Sequence, residues 1–148
     1  EEKGLPTRVM SSINVPQVCE PYIRRKALSY MQNKTVVIFA GGTGNPFFTT
    51  DSTATLRALE IKAEAILMGK NDVEGVYDKD PHKYKDAVLI KELTYQEVVE
   101  KNLEVMDLTA VAMLKNSDVK IHVFNMDNFE SMLNVLNGEP IGSVIKKE

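Results

Sequence analysis

The stretch that decides the fold is VVIFAGGTGNPFFTTDS, residues 36–52. Its first five residues are apolar, as in a buried strand, and they lead into three glycines within four positions. Glycine lets backbone amides approach a ligand and adopt positive φ without a Cβ penalty. Residues 49–52 suit a helix N-terminus, whose free N–H groups favour a phosphate. The stretch predicts a strand, a loop and a helix, with either an anion site or a purely structural turn between them.

The spacing of these glycines excludes two common phosphate motifs. No Gly-Lys-Ser/Thr follows the loop, and no glycine lies three residues after Gly44, so it is neither a P-loop nor a dinucleotide fingerprint. The loop side chains nevertheless suit a nucleotide, because threonine hydroxyls and an asparagine amide can hydrogen-bond a pyrimidine and its phosphate. Phe47 and Phe48 could form a wall of that site or belong to the core. Asp51 could cap the helix.

Short apolar runs and helical patterns alternate outward from this stretch. The predicted strands are Arg8–Ile13, Val36–Ala40, Ala65–Gly69, Ile121–Asn125 and a closing Ile141–Ile145. The predicted helices are Glu20–Gln32, Ser52–Lys62, Thr94–Lys101, Met106–Leu114 and Phe129–Leu136. Such alternation predicts an α/β fold with a largely parallel sheet whose strands are covered on both faces. No repeat or linker interrupts it, so residues 1–148 are predicted to form a single domain or a piece of one.

Two helix starts carry specific capping signals. Thr94 is followed three residues later by Glu97, which is the capping-box pattern. Asp107 precedes an apolar run and is interpreted as an N-cap. Both signals predict where the surrounding helices begin.

Composition excludes several classes of protein. The chain has 148 residues, of which 43% are apolar and 26% charged, the ordinary balance of a globular domain. Its net charge of −3 gives no basic excess for nucleic acid. The single cysteine, Cys19, can form neither an internal disulfide nor a zinc site. No apolar run reaches the 18–20 residues of a membrane span, and the start at Glu1 is not a signal peptide. We expect a cytoplasmic protein.

A second motif, LMGKNDVEGVYDKDP at residues 67–81, follows a predicted strand. Its Glu74-Gly75 and Asp80-Pro81 pairs are ordinary turn signals. From the residues alone, a solvated hairpin is the favoured interpretation. Lys70 and Lys79 are its basic residues, and neither is a convincing ligand for a transferring phosphoryl group.

Together, residues 36–52 and 67–81 resemble the bacterial UMP kinases of the amino-acid kinase superfamily. The resemblance covers this chain but only about the C-terminal three-fifths of the family's length. It implies a three-layer α/β/α sandwich with a mainly parallel sheet, here without its N-terminal part. It also implies transfer of the ATP γ-phosphate to UMP in pyrimidine nucleotide biosynthesis, with Mg²⁺ as cofactor, in a homohexamer.

The resemblance also implies roles for individual residues. Asp51 matches an aspartate that orients phosphoryl-binding lysines, so it is a candidate catalytic residue as well as a candidate cap. No residue is assigned to a metal. The positions implied to contact ATP are Asn71, Tyr77 and Asp80. The positions implied to contact UMP are Thr43, Gly44, Asn45, Pro46, Phe47, Phe48, Thr49 and Thr50.

Two other functions remain open. The family's N-terminal part carries a lysine-containing turn and a glycine loop that nothing here matches, so the chain alone is expected to be inactive. It would then be a nucleotide-binding or assembly fragment without catalysis of its own. The other alternative is an amino-acid kinase with a carboxylate or carbamate acceptor. Residues 43–50 argue against that alternative, because they suit a nucleotide better than a small acid.

Overall fold

A computed structural model describes residues 2–148 of the chain. The chain forms two compact units, Glu1–Thr53 and Ala54–Glu148, which we call unit 1 and unit 2. Glu1, the first residue of the segment that we predicted not to be a signal peptide, lies outside the described residues. No helix in the described part of the chain combines the length and the apolar character needed to cross a membrane.

Unit 1 is built on a small parallel sheet. Its strands have the order β2-β1-β3, and both strand pairings are parallel. The predicted strand Val36–Ala40 is confirmed with the same bounds. The elements are β1 Thr7–Ser11, β2 Glu20–Pro21, α1 Arg24–Gln32 and β3 Val36–Ala40, followed by α2 Thr50–Ile61, which crosses into unit 2.

The helix predicted over Glu20–Gln32 was wrong in its first turn. Glu20–Pro21 is the short strand β2, with Glu20 opposite Met10, and the helix begins only at Arg24. A residue before proline is driven to extended backbone, and proline has no N–H for a helix. The sequence around Pro21 therefore favours a strand over the start of the helix.

The predicted burial of both sheet faces was also wrong for unit 1. Val9 and Ile38 lie side by side in β1 and β3, yet they are 45% and 50% exposed. Strand β1 ends at Ser11, earlier than predicted, because the Ile13 N–H donates to the Ser11 hydroxyl at 3.0 Å. Such a local bond competes with continuation of the strand.

Unit 2 contains a four-stranded sheet and a separate hairpin. The sheet has the order β4-β8-β9-β7, and β5 pairs only with β6. Four of the six strand pairings in the described chain are parallel, which confirms a mainly parallel α/β fold. The elements of unit 2 are β4 Ala65–Lys70, β5 Val76–Tyr77, β6 Leu89–Ile90, β7 Glu92–Thr94, α3 Tyr95–Glu100, α4 Leu108–Leu114, β8 Lys120–Asn125, α5 Glu130–Leu136 and β9 Ser143–Lys146.

The core of unit 2 lies between this sheet and helices α3 and α4. Leu114 and Ile121 are completely buried in it. The Tyr95 hydroxyl is buried there as well and donates to the Val119 carbonyl at 2.6 Å. Burial raises the pKa of Tyr95 to about 12, so this phenol stays neutral and packs as part of the core.

Local sequence signals determine where two helices and one strand of unit 2 begin. The Thr94–Glu97 capping box is confirmed, and the Asp107 carboxylate accepts from the Ala110 N–H at 2.9 Å, which confirms the N-cap. Helix α4 therefore begins after Asp107, two residues later than predicted. The closing strand begins at Ser143 because Gly142 has φ +69, which a strand does not allow.

Candidate functional site

The glycine loop of unit 1 packs closely against the end of β1. Gly41, Gly42 and Gly44 have φ values of 75°, 60° and 78°, in the region that side chains disfavour. A Cβ on Gly44 would lie 2.9 Å from the Ser12 carbonyl oxygen. A Cβ on Gly41 would lie 3.1 Å from the Ser11 hydroxyl. Glycine is therefore required here for both backbone angle and space.

Hydrogen bonds within the loop, and one from the residue after β1, hold the loop in shape. The Ser12 hydroxyl donates to the Gly42 carbonyl at 2.8 Å, and the Gly44 N–H donates to the Gly41 carbonyl at 2.9 Å. The Asn45 N–H donates to the Thr43 hydroxyl at 3.2 Å. Sequence reasoning missed Ser12, because its partner Gly42 is 30 residues away in the chain.

Phe47 and Phe48 project from the loop. They are 102% and 55% exposed, so the interpretation of either as a core residue was wrong. Phe47 also has φ 70°, an unusual backbone angle for a bulky residue. Strained and exposed residues of this kind concentrate at ligand-contacting loops.

The residue that caps the N-terminus of α2 is Thr49 and not Asp51. The Thr49 hydroxyl accepts the Ser52 N–H at 3.1 Å, and α2 begins at Thr50. Asp51 stands in the first turn, where the helix dipole favours a carboxylate. Thr49 caps this helix, so the capping interpretation of Asp51 was wrong.

Unit 2 carries a cleft of about 500 Å³ at the hairpin β5–β6. Of the three residues predicted to contact ATP, Tyr77 and Asp80 line this cleft, whereas Asn71 is exposed and is not one of its lining residues. The cleft is lined by residues 70, 73, 75–83, 101–105 and 123. The structure thus brings most of the second motif around one cavity.

Asp80 is held as a carboxylate at the wall of the cleft. Its Oδ2 accepts from the Lys83 ammonium at 3.0 Å, and its Oδ1 accepts from the His82 N–H at 2.9 Å. The Lys83 hydrogen bond, followed by that of His82, holds the pKa of Asp80 below its usual value. Asp80 is therefore ionised at neutral pH and can accept hydrogen bonds from a ligand hydroxyl.

The cleft contains four lysines, three of which are paired. The paired ones lie 2.6–3.0 Å from a carboxylate and join Lys79 to Asp86, Lys83 to Asp80 and Lys101 to Glu97. Lys70, at the end of β4, forms no ion pair with any of residues 2–148. It is thus the cleft cation whose charge is available to an anionic ligand, although sequence reasoning had set it aside.

Sequence reasoning missed one group of the residues that line the cleft. This group is the turn after α3, residues 101–105. Asn102 has φ 47°, a conformation that asparagine tolerates, so an asparagine just after a helix was the available signal. In residues 2–148, no three His, Cys, Asp or Glu side chains gather as they would to hold a metal ion.

Comparison with known proteins places these features in a family. The model of the Amino acid kinase family matches residues 1–125. A uridylate kinase of Limosilactobacillus reuteri is 49% identical over 146 residues, which are 99% of this chain and 61% of that protein. A uridylate kinase of Rubrobacter xylanophilus is 49% identical over 148 residues, 100% of this chain and 58% of that protein.

Solved structures give the same result for the fold. The UMP kinase of Bacillus anthracis matches with a TM-score of 0.94 and 40% identity, over 97% of this chain and 59% of that one. The UMP kinase of Ureaplasma parvum matches with a TM-score of 0.92 and 34% identity, over 99% of this chain and 62% of that one. The chain spans about 60% of the length of the curated relatives it matches. By its sequence and by its α/β fold, the chain belongs to the amino acid kinase family.

Proposed function

We propose that the protein is a UMP kinase, which transfers the γ-phosphate of ATP to UMP and releases UDP and ADP. The observation that carries the proposal is the TM-score of 0.94 to a UMP kinase structure over nearly the whole chain. Relatives named uridylate kinase, 49% identical to this chain, support it. An acceptor that is a small carboxylic acid or carbamate has no comparable support.

The glycine loop is the proposed UMP site. Its exposed phenyl rings offer apolar surface to a base, and its hydroxyl and amide groups offer hydrogen bonds to the base and the phosphate. The N-terminus of α2 adds backbone N–H groups that favour the phosphate. The proposed UMP-contacting residues are Thr43, Gly44, Asn45, Pro46, Phe47, Phe48, Thr49 and Thr50.

The cleft of unit 2 is the proposed ATP site. Tyr77 offers an aromatic ring and Asp80 offers carboxylate oxygens, which suit a base and a ribose hydroxyl. Lys70 supplies an unpaired positive charge for a phosphate. Asn71 remains a proposed contact, although it lies outside the lining of the cleft. Phosphoryl transfer of this type works by positioning and charge neutralisation, without a covalent intermediate.

Asp51 is proposed to orient the cations that act on the transferring phosphoryl group. Since Thr49 makes the helix cap, the Asp51 carboxylate is not needed for that purpose. Asp51→Asn should therefore lower kcat with little change in the KM for UMP, the pattern of an interaction made in the transition state. A lowered melting temperature with unchanged kcat would contradict this role.

We propose that carboxylates lining the cleft would hold the Mg²⁺ that accompanies ATP, and the bound ion would supply charge neutralisation at the phosphates. Magnesium takes one or two protein carboxylates beside phosphate oxygens and water. The cleft lining includes the carboxylates of Asp78, Asp80 and Glu104; they do not gather as a three-residue metal site, but any one of them fits the single carboxylate that the ion needs beside ATP. Activity of the natural protein should be lost on chelation with EDTA and restored by added Mg²⁺.

The decisive experiment is a coupled assay for ADP release by the natural full-length protein. ATP and Mg²⁺ are supplied with UMP, CMP or N-acetylglutamate as acceptor. We expect ADP release that depends on UMP and is much slower with the other two acceptors. Faster ADP release with N-acetylglutamate than with UMP, or a rate of release that does not depend on the acceptor, would overturn the proposal.

The 148-residue chain by itself should be a nucleotide-binding fragment. Each fixed positive charge or dipole at such a transition state contributes about 3–4 kcal/mol, and Lys70 is the one unpaired cleft lysine of the described residues. Turnover of the isolated chain should thus fall far below about 1 s⁻¹, the lower end of ordinary enzyme rates. The homohexamer and the cytoplasmic location stay predictions, the first testable by light scattering.

A further inference from the structure

One buried hydroxyl connects the cleft hairpin to the main sheet of unit 2. Ser143 is completely buried at the start of β9, where it lies opposite Val123 of β8. The Val76 N–H donates to the Ser143 hydroxyl at 2.9 Å, and that hydroxyl donates to the Ile90 carbonyl at 2.5 Å. Val76 and Ile90 are directly opposite each other in the hairpin. A single side chain therefore bonds both strands of β5–β6.

Two glycines make room for this connection. A Cβ on Gly75 would lie 2.5 Å from the Ser143 hydroxyl oxygen and 3.1 Å from Leu89 Cδ1. Gly142, with φ +69, would bring a Cβ against the Val123 carbonyl oxygen. The two segments thus pass each other at backbone distance, which places the Ser143 hydroxyl between the hairpin strands. We call this contact of Ser143 with Val76 and Ile90 the Ser143 junction.

The Ser143 junction lies directly behind the wall of the cleft. Gly75, Val76 and Tyr77 line the cleft on one side of the junction, and Ser143 itself does not. The ladder of β5 and β6 has only two residue pairs, and so short a hairpin has little stability of its own. Its position in the cleft therefore depends on bonds to its surroundings, which are those of Ser143 to both strands and, just after β6, the bond of the Val144 N–H to the Lys91 carbonyl at 2.8 Å.

We propose that Ser143 is a positioning residue for the donor nucleotide. Its hydrogen bonds to Val76 and Ile90 fix the hairpin. As a result, Tyr77 of β5 and Asp80, three residues farther on, line the cleft. Without the hydroxyl, the buried Val76 N–H and the partly buried Ile90 carbonyl lose their shared partner, and such groups move to regain hydrogen bonds. The inference rests on the proposed function for the identity of the ligand as ATP.

The test compares Ser143→Ala with Ser131→Ala in the natural full-length protein. Ser131 is a buried serine in α5 that does not line the cleft, so its change matches the first in chemistry and burial. Ser143→Ala should raise the KM for ATP about tenfold, equivalent to ~1.4 kcal/mol. It should leave the KM for UMP within about twofold, and Ser131→Ala should change neither. Equal rises in both KM values, or no change in either, would overturn the proposal.

A second variant separates the hydroxyl from the volume of the side chain. Ser143→Cys keeps the side chain close to its natural volume but replaces the hydroxyl with a thiol, which is a weak hydrogen-bond donor and acceptor, and it should raise the KM for ATP toward the value of Ser143→Ala. A KM for ATP equal to that of the natural protein would contradict the role of the hydroxyl.

Hydrogen exchange tests the Ser143 junction without any turnover. In the natural protein the Val76 amide should be protected, because it donates to a buried oxygen, and exchange as fast as that of an exposed amide would overturn the junction. This measurement stands even where Ser143→Ala fails to fold. Failure of the proposed function would appear differently, as a natural protein whose ADP release does not depend on UMP.

Discussion

The two units of the chain bury their apolar residues to very different extents. In unit 2, fourteen buried residues form one continuous cluster. Among the described residues of unit 1, the buried apolar side chains are Met10 and Ala27. The sheet of unit 1 instead leaves Val9 and Ile38 about half exposed, at 45% and 50%.

The two candidate sites are fixed in shape by different kinds of interaction. The glycine loop of unit 1 is shaped mainly by backbone angles and by hydrogen bonds between near neighbours in sequence, such as that of Gly44 to Gly41, with one bond from the more distant Ser12. The cleft of unit 2 is shaped by a packed core and by a side chain that is 67 residues away from its partner Val76. Substitutions in the core should therefore disturb unit 2 much more than matched changes on the sheet of unit 1.

The largest expected effect is on the stability of the core. Leu114→Ala should lower the free energy of unfolding by about 2–5 kcal/mol, because it leaves a cavity among buried side chains. Ile38→Ala, at a half-exposed position, should cost less than about 1 kcal/mol. Urea denaturation of the natural protein measures both. Equal losses of unfolding free energy would mean that the sheet face carrying Ile38 is buried in the natural protein. The contrast between the two units would then not hold.

The next effect concerns the unpaired charge in the cleft. Lys70→Met should lower kcat by about 10²–10³-fold, the usual consequence of removing one group that stabilises a transition state. Lys115→Met, at an exposed position beyond α4, is the matched control and should leave kcat unchanged. Steady-state kinetics with ATP and UMP measure both variants. A Lys70→Met protein with normal kcat would show that the cation comes from elsewhere.

A smaller effect is expected at the glycine loop. Thr50→Ala should weaken UMP binding by about 1–2 kcal/mol, the range for a hydrogen bond to a charged group. Thr109→Ala is the control, because Thr109 is an exposed threonine in the first turn of α4. Titration calorimetry with UMP reads both. Unchanged affinity in the Thr50 variant would show that the loop binds UMP through its backbone or through other side chains.

The smallest effect is a pH dependence confined to unit 2, which contains both histidines of the chain. Burial, together with the nearby Lys120, lowers the pKa of His122. The unfolded chain therefore binds a proton before the folded one as the pH falls below about 6.5. The free energy of unfolding should thus decrease from pH 6.5 down to the lower folded pKa.

His122→Gln tests that part of the pH dependence. The variant should show a flatter fall of stability between pH 7 and pH 5 than the natural protein. An identical slope in both proteins would assign the effect to other groups around His122, which include Glu64, Asp118 and Lys120.

Sequence patterns predicted the fold well where local rules decide it. The apolar run at Val36–Ala40, the capping box at Thr94 and the N-cap at Asp107 depend only on near neighbours, and all three are confirmed. The glycine loop was found because its three glycines lie within four positions, although its contact with Ser12 is long-range and was not predicted. The prediction of a first helical turn at Glu20–Pro21 was wrong because the residue before a proline favours extended backbone.

Long-range contacts set the parts that sequence reasoning could not provide. The hairpin strands have two residues each, too few for any periodicity, and they exist because of pairing partners farther along the chain. The turn at residues 101–105 and the Ser143 junction come from packing between distant segments. Tyr77 and Asp80 were found through the resemblance to a family, and their roles as ATP contacts stay predictions.

The Ser143 junction also has a consequence for synthesis on the ribosome. Val76 emerges 67 residues before the hydroxyl to which it donates, and chains grow at about 5–20 residues per second. For roughly 3–13 seconds, by the same rate, the nascent hairpin β5–β6 lacks the side chain that joins it to the sheet. The cleft therefore matures late, and a truncation or stall that removes β9 should release a chain with a formed glycine loop and an unfinished cleft.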